Sequence, residues 1–380
     1  SWAKTSAGLH VAFGSVDVRY PHQRAPEGTA AEWSGSAWRG ERVHAQAVAW
    51  TSEGLSQLRV LPTALSAEQA TIPAESVSAR FVRYVLADGK LVGDILDDAE
   101  RLDVAPRTVR PVWVSVDVPA ETPPGKYVGE LRFSAAGGAA AALPITLEVL
   151  GQALPPPAEW SFHLDLWQNP YALARYHRVR PWSEEHLALL RPHLKLLASA
   201  GQKCITTTIV HRPWGTQTYD PYDSMVRWIR HADGTLSFDY SAFDTYVRLC
   251  DECGISKSID CYSMVSWTNA IRLYDEALGD YVTVSAAPGT DAYGDYWRPF
   301  VAGFVAHLRE RGWLGRTAIA MDERPPELMQ ALLSLLGEAA PELKVALAGG
   351  NEPSLKDAVD DWCVFIAPPL DPAIASERRK

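Results

Sequence analysis

Apolar and polar residues alternate along the first part of the chain with a period of two, which is typical of half-buried strands in antiparallel sheets. Three such segments lie at residues 112–118, 127–133 and 143–149. Turn signals separate them, among them a Thr-Pro-Pro-Gly run at 122–125. Short strands without long helices between them predict an N-terminal antiparallel β-sandwich over residues 1–155.

The pattern changes after a run of three prolines, where short apolar strand candidates begin to alternate with amphipathic helix candidates. The strand candidates, each with the helix candidate that follows it, are 162–167 with 184–200, 203–210 with 243–253, 258–264 with 297–311, 317–322 with 326–339, 344–348 with 354–359, and finally 363–366. Such alternation favours a parallel sheet with right-handed crossovers, so residues 158–380 are predicted to form a TIM-type (β/α)8 barrel. A doubly wound sheet is the alternative, but no Gly-x-Gly-x-x-Gly follows the first strand candidate.

The predicted barrel is incomplete at its C-terminus. Six βα units are visible in the sequence, whereas a closed barrel needs eight. The missing units would leave unpaired strand edges and an uncovered hydrophobic wall. We therefore expect a missing C-terminal segment or a second chain to complete the barrel.

Aromatic and polar residues are concentrated at the ends of the strand candidates. Trp167 ends the first one, His211 and Trp214 follow the second, and Trp267 follows the third. The same alternation points Asp165 into the barrel, whose active site lies at the carboxyl ends of its strands. Tryptophan stacks on the apolar faces of sugars, so the pattern predicts an aromatic-lined sugar pocket. The alternative is that these rings only pack loops against one another.

Two adjacent acids, Asp322 and Glu323, end the fourth strand candidate, and two prolines then stop regular pairing. The turn lets both carboxylates reach one cavity. Glycosidic cleavage needs two carboxyl groups, one protonated to donate to the leaving oxygen and one ionised to stabilise positive charge. Adjacent acids suit the substrate-assisted variant, in which the 2-acetamido oxygen of the sugar attacks the anomeric carbon.

Composition and charge exclude several classes of partner. The chain has 36 basic and 46 acidic residues, a formal charge of −10 that repels phosphate backbones and anionic lipid. No apolar stretch approaches the length of a membrane-spanning helix, so we expect neither nucleic acid binding nor membrane insertion. Five cysteines, an odd number, imply no disulfide framework and favour an intracellular location, although an export signal removed before Ser1 stays an open alternative.

Several long motifs resemble the catalytic domain of glycoside hydrolase family 123. They are HLDLWQNPY (163–171), WSEEH (182–186), AGQK (200–203), PW (213–214), QTYDPY (217–222), DYSAFD (239–244), CYSM (261–264) and AMDERP (320–325). The resemblance is dense over residues 160–350, and the β-rich N-terminal part is similar to the leading sandwich domain of that family.

The resemblance implies exo-hydrolysis of terminal β-linked N-acetylgalactosamine with retained configuration, on a glycan or glycolipid. It implies that Asp322 orients the acetamido group and that Glu323 is the general acid and then the general base. It implies no metal and no organic cofactor. The residues expected to bind the substrate are Trp167, His211, Trp214, Tyr262, Trp267, Asp165, Arg324 and Trp297.

Two other functions stay open at this point. One is a non-catalytic carbohydrate-binding or degenerate relative, which would keep the aromatic pocket but gains little from burying two mutually repelling acids. The other is a conventional retaining glycosidase, with Glu323 as the acid and Asp165 or Asp260 as the nucleophile.

Overall fold

The computed structural model describes residues 2–350, 352–355 and 357–363, and the chain divides into two compact units, Ser1–Pro155 and Pro156–Lys380. Each unit has its own hydrophobic core. The protein is therefore β-rich and has more than one domain. None of the described helices is both long enough and apolar enough to cross a membrane.

The first unit consists of two sheets that share one core. Its strands are β1 (His10–Gly14), β2 (Trp33–Arg39), β3 (Arg42–Thr51), β4 (Leu55–Pro62), β5 (Leu65–Ser66), β6 (Thr71–Ile72), β7 (Val77–Ala87), β8 (Lys90–Asp97), β9 (Arg101–Val104), β10 (Thr108–Asp117), β11 (Gly125–Ser134) and β12 (Ala140–Ala153). One sheet has the order β1-β3-β10-β7-β8, and the path β2-β12-β11-β4-β9 carries the small β5–β6 ladder beside β11. Alternate residues of β10 and β12 are buried in the shared core, as the period-two pattern predicts.

The second unit is built on a parallel sheet with the order β13-β16-β19-β20-β21. Its elements are α1 (Pro170–His177), α2 (Glu184–Ser199), β13 (Cys204–Thr208), β14 (Arg227–Arg230), β15 (Leu236–Asp239), α3 (Ser241–Glu252), β16 (Ser258–Tyr262), β17 (Ala270–Asp275), β18 (Asp280–Ser285), α4 (Asp291–Arg311), β19 (Thr317–Met321), α5 (Pro326–Ala339), β20 (Lys344–Ala348) and β21 (Asp361–Cys363). Helices α3, α4 and α5 connect successive parallel strands. Side-chain caps fix two helix starts, since Ser183 accepts from the His186 N–H and Thr290 from the Tyr293 N–H.

The strand expected at 162–167 is not formed. Only an isolated parallel bridge joins Leu164 to Gln202, and Phe162 and Leu166 are exposed rather than covered by helices. Side-chain amides replace the backbone ladder here, because the Leu166 N–H donates to Gln202 Oε1 at 2.9 Å and the Thr206 N–H donates to Gln168 Oε1 at 2.9 Å. The alternation in the sequence reflects this tethered segment and not a sheet strand.

The closed (β/α)8 barrel is not observed in the described part of the chain, which forms a five-stranded parallel sheet. The helix expected at 354–359 is replaced by a single 3-10 turn at Pro353–Leu355, followed closely by β21. Asp360 Oδ2 accepts from the Val345 N–H on β20, which holds the residue before β21 against the sheet. Of the strand expected at 363–366, residues 364–366 lie outside the described residues.

A four-stranded sheet with the order β15-β14-β17-β18 was not anticipated from the sequence. It is built from two hairpins, one in the connection after β13 and one in the connection after β16. The hairpins join through parallel pairing of β14 with β17. This accessory sheet therefore links the two connections that carry Trp214 and Trp267.

All five cysteines are free thiols, in agreement with the absence of a disulfide framework in the sequence. Cys250 and Cys253 are buried beside the end of α3 and belong to the core. The C-x-x-C spacing is therefore a packing feature of this helix.

Candidate active site

Strand β19 places two adjacent carboxylates at the carboxyl end of the parallel sheet. It lies between β16 and β20, and all five of its residues are buried. Asp322 follows directly and is half-buried, whereas Glu323 is exposed. The Arg324 N–H donates to the Asp322 carbonyl oxygen at 2.6 Å, which tightens the turn before α5. The two acids thus share one location but have different surroundings.

The side chain of Asp322 is bound by Trp267, from the connection after β16. The indole Nε1–H donates to Asp322 Oδ2 at 2.6 Å. The guanidinium of Arg324 lies over the face of the same indole, 4.8 Å from the ring centroid, and its Nη2 donates to Asn269 Oδ1 at 3.4 Å. Three residues expected at the site, Asp322, Trp267 and Arg324, are therefore in direct contact.

A second group of aromatic residues forms a continuous cluster. The ring centroids of Trp167 and Trp214 are 5.0 Å apart, those of Trp167 and Tyr262 are 5.0 Å apart, and those of Trp214 and Tyr262 are 4.8 Å apart. Trp214 and Tyr262 are buried, but 40% of Trp167 is exposed. Only Trp167 in this cluster can therefore offer a ring face to a ligand.

The two aromatic groups adjoin through the backbone. The Trp267 N–H donates to the Pro213 carbonyl oxygen at 2.7 Å, directly beside Trp214. The strands below carry alanine where the cluster packs, at Ala318, Ala320 and Ala346. These small side chains on β19 and β20 leave space for the large rings of Trp214 and Tyr262 to pack over this end of the sheet.

Glu323 lies against the glycine that follows β20. A Cβ atom built on Gly349, which follows β20, would lie 3.4 Å from Glu323 Cγ. No described side chain donates a hydrogen bond to the Glu323 carboxylate. The carboxyl group is therefore free to face a ligand.

His211 pairs with an acid that the sequence did not single out. Its Nδ1 lies 2.7 Å from Asp223 Oδ1. Burial alone would raise the pKa of Asp223, but the hydrogen bonds from His211 and from the Ser224 N–H hold that pKa below its usual value. Asp223 is thus held as an anion, and the pair fixes the connection between β13 and β14.

Asp165, Cys204 and Asp260 form a cluster whose carboxylate oxygens and thiol sulfur lie within 4.8 Å of one another. Burial, followed by the charges of Asp165 and Asp361, raises the pKa of Asp260 to about 7. Burial likewise raises the pKa of Asp165 and of the Cys204 thiol. Metal ligands bind in their deprotonated forms, which burial disfavours here. The shifts therefore disfavour the charged forms of this cluster that a metal ion would need as ligands.

The raised pKa of Asp260 makes the stability of the second unit depend on pH. In the unfolded chain this carboxyl ionises near its ordinary pKa, while in the folded chain it keeps its proton up to about pH 7. The free energy of unfolding should therefore fall as the pH rises between about 4 and about 7, by an amount on the order of 2–4 kcal/mol, and then level off. Asp260→Asn should flatten this dependence, as measured by urea unfolding across that range.

The control for this prediction is Asp295→Asn, which changes an exposed carboxyl on α4. It should leave the pH dependence of the wild type intact. The same pH dependence of the free energy of unfolding in the wild type and in Asp260→Asn would contradict the raised pKa of Asp260.

The substrate-binding role expected for Trp297 is wrong. This residue lies on α4 with only 2% of its surface exposed, and it packs against Trp228 and Phe300 in the core of the second unit. It cannot offer a ring face to a ligand. Its position on the buried stripe of an amphipathic helix was the signal for a core residue.

Three residues at the site were missed in the sequence. Asn269 supports Arg324, Tyr222 contacts Trp214 at 4.6 Å between ring centroids, and Gly349 leaves space for Glu323. The Gly-Gly pair directly after the strand candidate at 344–348 was a usable signal, because glycine at a strand end often marks a close approach. Asn269 and Tyr222 had no comparable signal, since each acts through contacts between distant parts of the chain.

The family models agree with this arrangement. The model of the glycoside hydrolase 123 catalytic domain matches residues 167–380, and the model of the glycoside hydrolase 123 N-terminal domain matches residues 13–135. The catalytic-domain model alone covers more than half of the chain. The protein belongs to glycoside hydrolase family 123, a family of glycosidases.

One solved structure agrees with the family assignment. A family 123 glycoside hydrolase from Clostridium perfringens, studied for glycolipid glycan hydrolysis, matches with a TM-score of 0.87 and 27% identity, over 95% of this chain and 67% of that chain. A family 39 glycoside hydrolase from Bacteroides cellulosilyticus has a TM-score of 0.30 and 14% identity, over 77% of this chain and 52% of that chain. A Bacteroides ovatus GH5 xyloglucanase has a TM-score of 0.25 and 9% identity, over 88% of this chain and 68% of that chain. The TM-scores of these last two structures are too low to support an argument. No curated protein sequence matches this chain.

Proposed function

We propose that this protein is an exo-acting β-N-acetylgalactosaminidase that works by the substrate-assisted, retaining mechanism. Its substrate is a glycan with terminal β-linked N-acetylgalactosamine. The relative from Clostridium perfringens is connected with glycolipid glycans, and we extend this class to the present chain. The proposal includes a β-sandwich domain at 1–155 and a catalytic domain of the (β/α)8 barrel type at 158–380.

The observation that carries the proposal is the unequal environment of the two adjacent acids. Asp322 accepts a hydrogen bond from a donor-only indole N–H, which fixes the orientation of its carboxylate. Glu323 is exposed and receives no hydrogen bond from a described side chain, so its carboxyl group can reach a ligand. One carboxyl group held in place beside one accessible carboxyl group is the arrangement that substrate-assisted cleavage requires.

In the first step the acetamido oxygen attacks the anomeric carbon while the glycosidic C–O bond breaks. Glu323 donates its proton to the departing oxygen, so the aglycone leaves as a neutral alcohol. The acetamido nitrogen becomes positively charged as the five-membered ring closes. Asp322 accepts a hydrogen bond from that N–H and offsets the charge.

In the second step water attacks the anomeric carbon and the five-membered ring opens. Glu323, now ionised, takes one proton from the water and returns to its acid form. Each step inverts the anomeric carbon, so the product keeps the configuration of the substrate. All protons are supplied by Glu323, the substrate and water, and no further reactant is needed.

The proposal is tested with two chromogenic substrates that differ only at C2. The wild-type chain should hydrolyse an aryl β-N-acetylgalactosaminide and should leave the corresponding β-galactoside almost untouched. Brisk hydrolysis of the plain galactoside would show that the protein supplies its own nucleophile. Asp165 and Asp260 would then be the residues to mutate next.

Trp167 is the exposed ring of the aromatic cluster, and we expect it to stack on the sugar. Trp167→Ala should weaken substrate binding by about 1–3 kcal/mol, seen as a higher KM with a small change in kcat. The matched control is Trp38→Ala on β2, which removes a ring of similar exposure, 42% against 40%, from the first unit. Equal effects of the two substitutions on KM would contradict the stacking role.

A further inference from the structure

The bond between Trp267 and Asp322 gives the tryptophan a role different from the stacking platform that its sequence position suggests. Of the two oxygens of Asp322, Oδ2 accepts from the indole N–H at 2.6 Å. Trp267 is the only described side chain that donates to this carboxylate. The bond fixes the rotation of the carboxylate plane and leaves Oδ1 for another donor.

The indole is itself held on several sides. Its backbone N–H donates to the Pro213 carbonyl oxygen at 2.7 Å. The guanidinium of Arg324 covers one ring face at 4.8 Å, a cation–π contact, and Arg324 is in turn held by Asn269. A donor that cannot rotate away is suited to orienting a carboxylate, because hydrogen bonds lose their strength steeply with angle.

We propose that Trp267 is a positioning residue that acts through Asp322. It directs Oδ1 toward the acetamido N–H of the substrate, and Arg324 fixes the ring in that orientation. This inference rests on the proposed function, since it gives a role to a neighbour of the proposed Asp322 anion. Trp267 thus acts with Asp322, the residue that stabilises charge, whereas Trp167 stacks on the sugar.

Trp267→Phe tests this directly, because phenylalanine keeps an aromatic face for Arg324 and removes the N–H. Since 39% of Trp267 is exposed, the change leaves no large buried cavity. We expect kcat to fall about 10- to 100-fold, the range for losing a hydrogen bond to a charged group, with little change in KM. If the phenylalanine variant does not fold, a benzothienyl analogue of tryptophan replaces only the N–H by sulfur and gives the same comparison.

A double-mutant cycle separates action through Asp322 from direct action on the substrate. In the Asp322→Asn background, Trp267→Phe should cost less than about threefold in kcat, because residues that act as one unit are not additive. The full loss in both backgrounds, or an unchanged kcat in Trp267→Phe, would overturn the inference. The control is Trp113→Phe, which removes an indole N–H that donates to His44 Nδ1 at 3.1 Å in the first unit and should leave kcat unchanged.

An NMR measurement decides the inference independently of catalysis. The indole N–H resonance of Trp267, assigned by its loss in Trp267→Phe, should lie downfield and move upfield in Asp322→Asn, because a neutral acceptor makes a weaker bond. An indole N–H chemical shift that is the same in the wild type and in Asp322→Asn would contradict the hydrogen bond between Trp267 and Asp322. If the wild type hydrolyses neither substrate, the proposed function is contradicted. The NMR measurement would still show whether Trp267 donates to Asp322.

Discussion

Replacing Asp322 with asparagine is expected to lower kcat at least about 100-fold on an aryl β-N-acetylgalactosaminide, the size typical of a lost electrostatic stabiliser. The amide can still accept the hydrogen bond from Trp267, so the fold and the binding of the sugar should persist. It cannot offset the positive charge that develops on the acetamido nitrogen. Steady-state kinetics, with circular dichroism to check the fold, measures the effect.

A thiazoline mimic of the cyclic intermediate gives a second measurement on the same variant. It should bind the wild type and bind Asp322→Asn much more weakly, because only the carboxylate complements the charged ring. Asp295→Asn on α4 is the isosteric control and should behave as the wild type. Equal affinity of the mimic for the wild type and Asp322→Asn would contradict the assignment of Asp322.

Replacing Glu323 with glutamine is expected to have an effect that depends on the leaving group. Natural alcohols depart poorly without protonation, so their turnover should fall by the full contribution of a general acid, about 100- to 10,000-fold. Activated aryl glycosides depart without help, so their first step should be affected much less. Kinetics with a series of aryl leaving groups of different acidity measures this as a steeper dependence on leaving-group pKa.

Glu327→Gln is the matched control for this prediction. Glu327 is exposed in the first turn of α5, four positions after Glu323, and should be replaceable without loss of activity. A uniform loss of rate across all leaving groups in Glu323→Gln would argue that Glu323 is not the proton donor.

The regular parts of the fold could be predicted because their signals are local. The helix predicted at 326–339 is α5 with the same bounds, and the alternating valines of β10 face the core. The segment at 162–167 shows where local signals fail. Its alternation is as regular as that of a strand, but no sheet ladder forms. Instead, the side chain of Gln202 accepts from the Leu166 N–H, and the side chain of Gln168 accepts from the Thr206 N–H.

The candidate site could be predicted in its residue types but not in its contacts. Strand ends in the sequence located Asp322, Trp267 and Trp214, since a parallel sheet collects its carboxyl ends at one edge. The donor role of the Trp267 indole and the space at Gly349 could not be read in this way, because both depend on how separate connections meet. Trp297 was wrongly predicted to bind the substrate because tryptophan is common both at sugar sites and in hydrophobic cores.

The accessory sheet has a consequence for the thermodynamics of binding. The connections 209–226 and 263–269 carry Trp214 and Trp267, and each runs from a strand of the parallel sheet into the accessory sheet, where β14 and β17 pair. Each connection is thus anchored at both ends, and the Trp267 N–H to Pro213 bond ties the two together. Anchored segments have few conformations to lose, so a ligand need not supply the entropy of ordering them. The binding surface is preorganised, and we expect the heat capacity of binding to report the buried apolar area of the sugar rather than the folding of a loop.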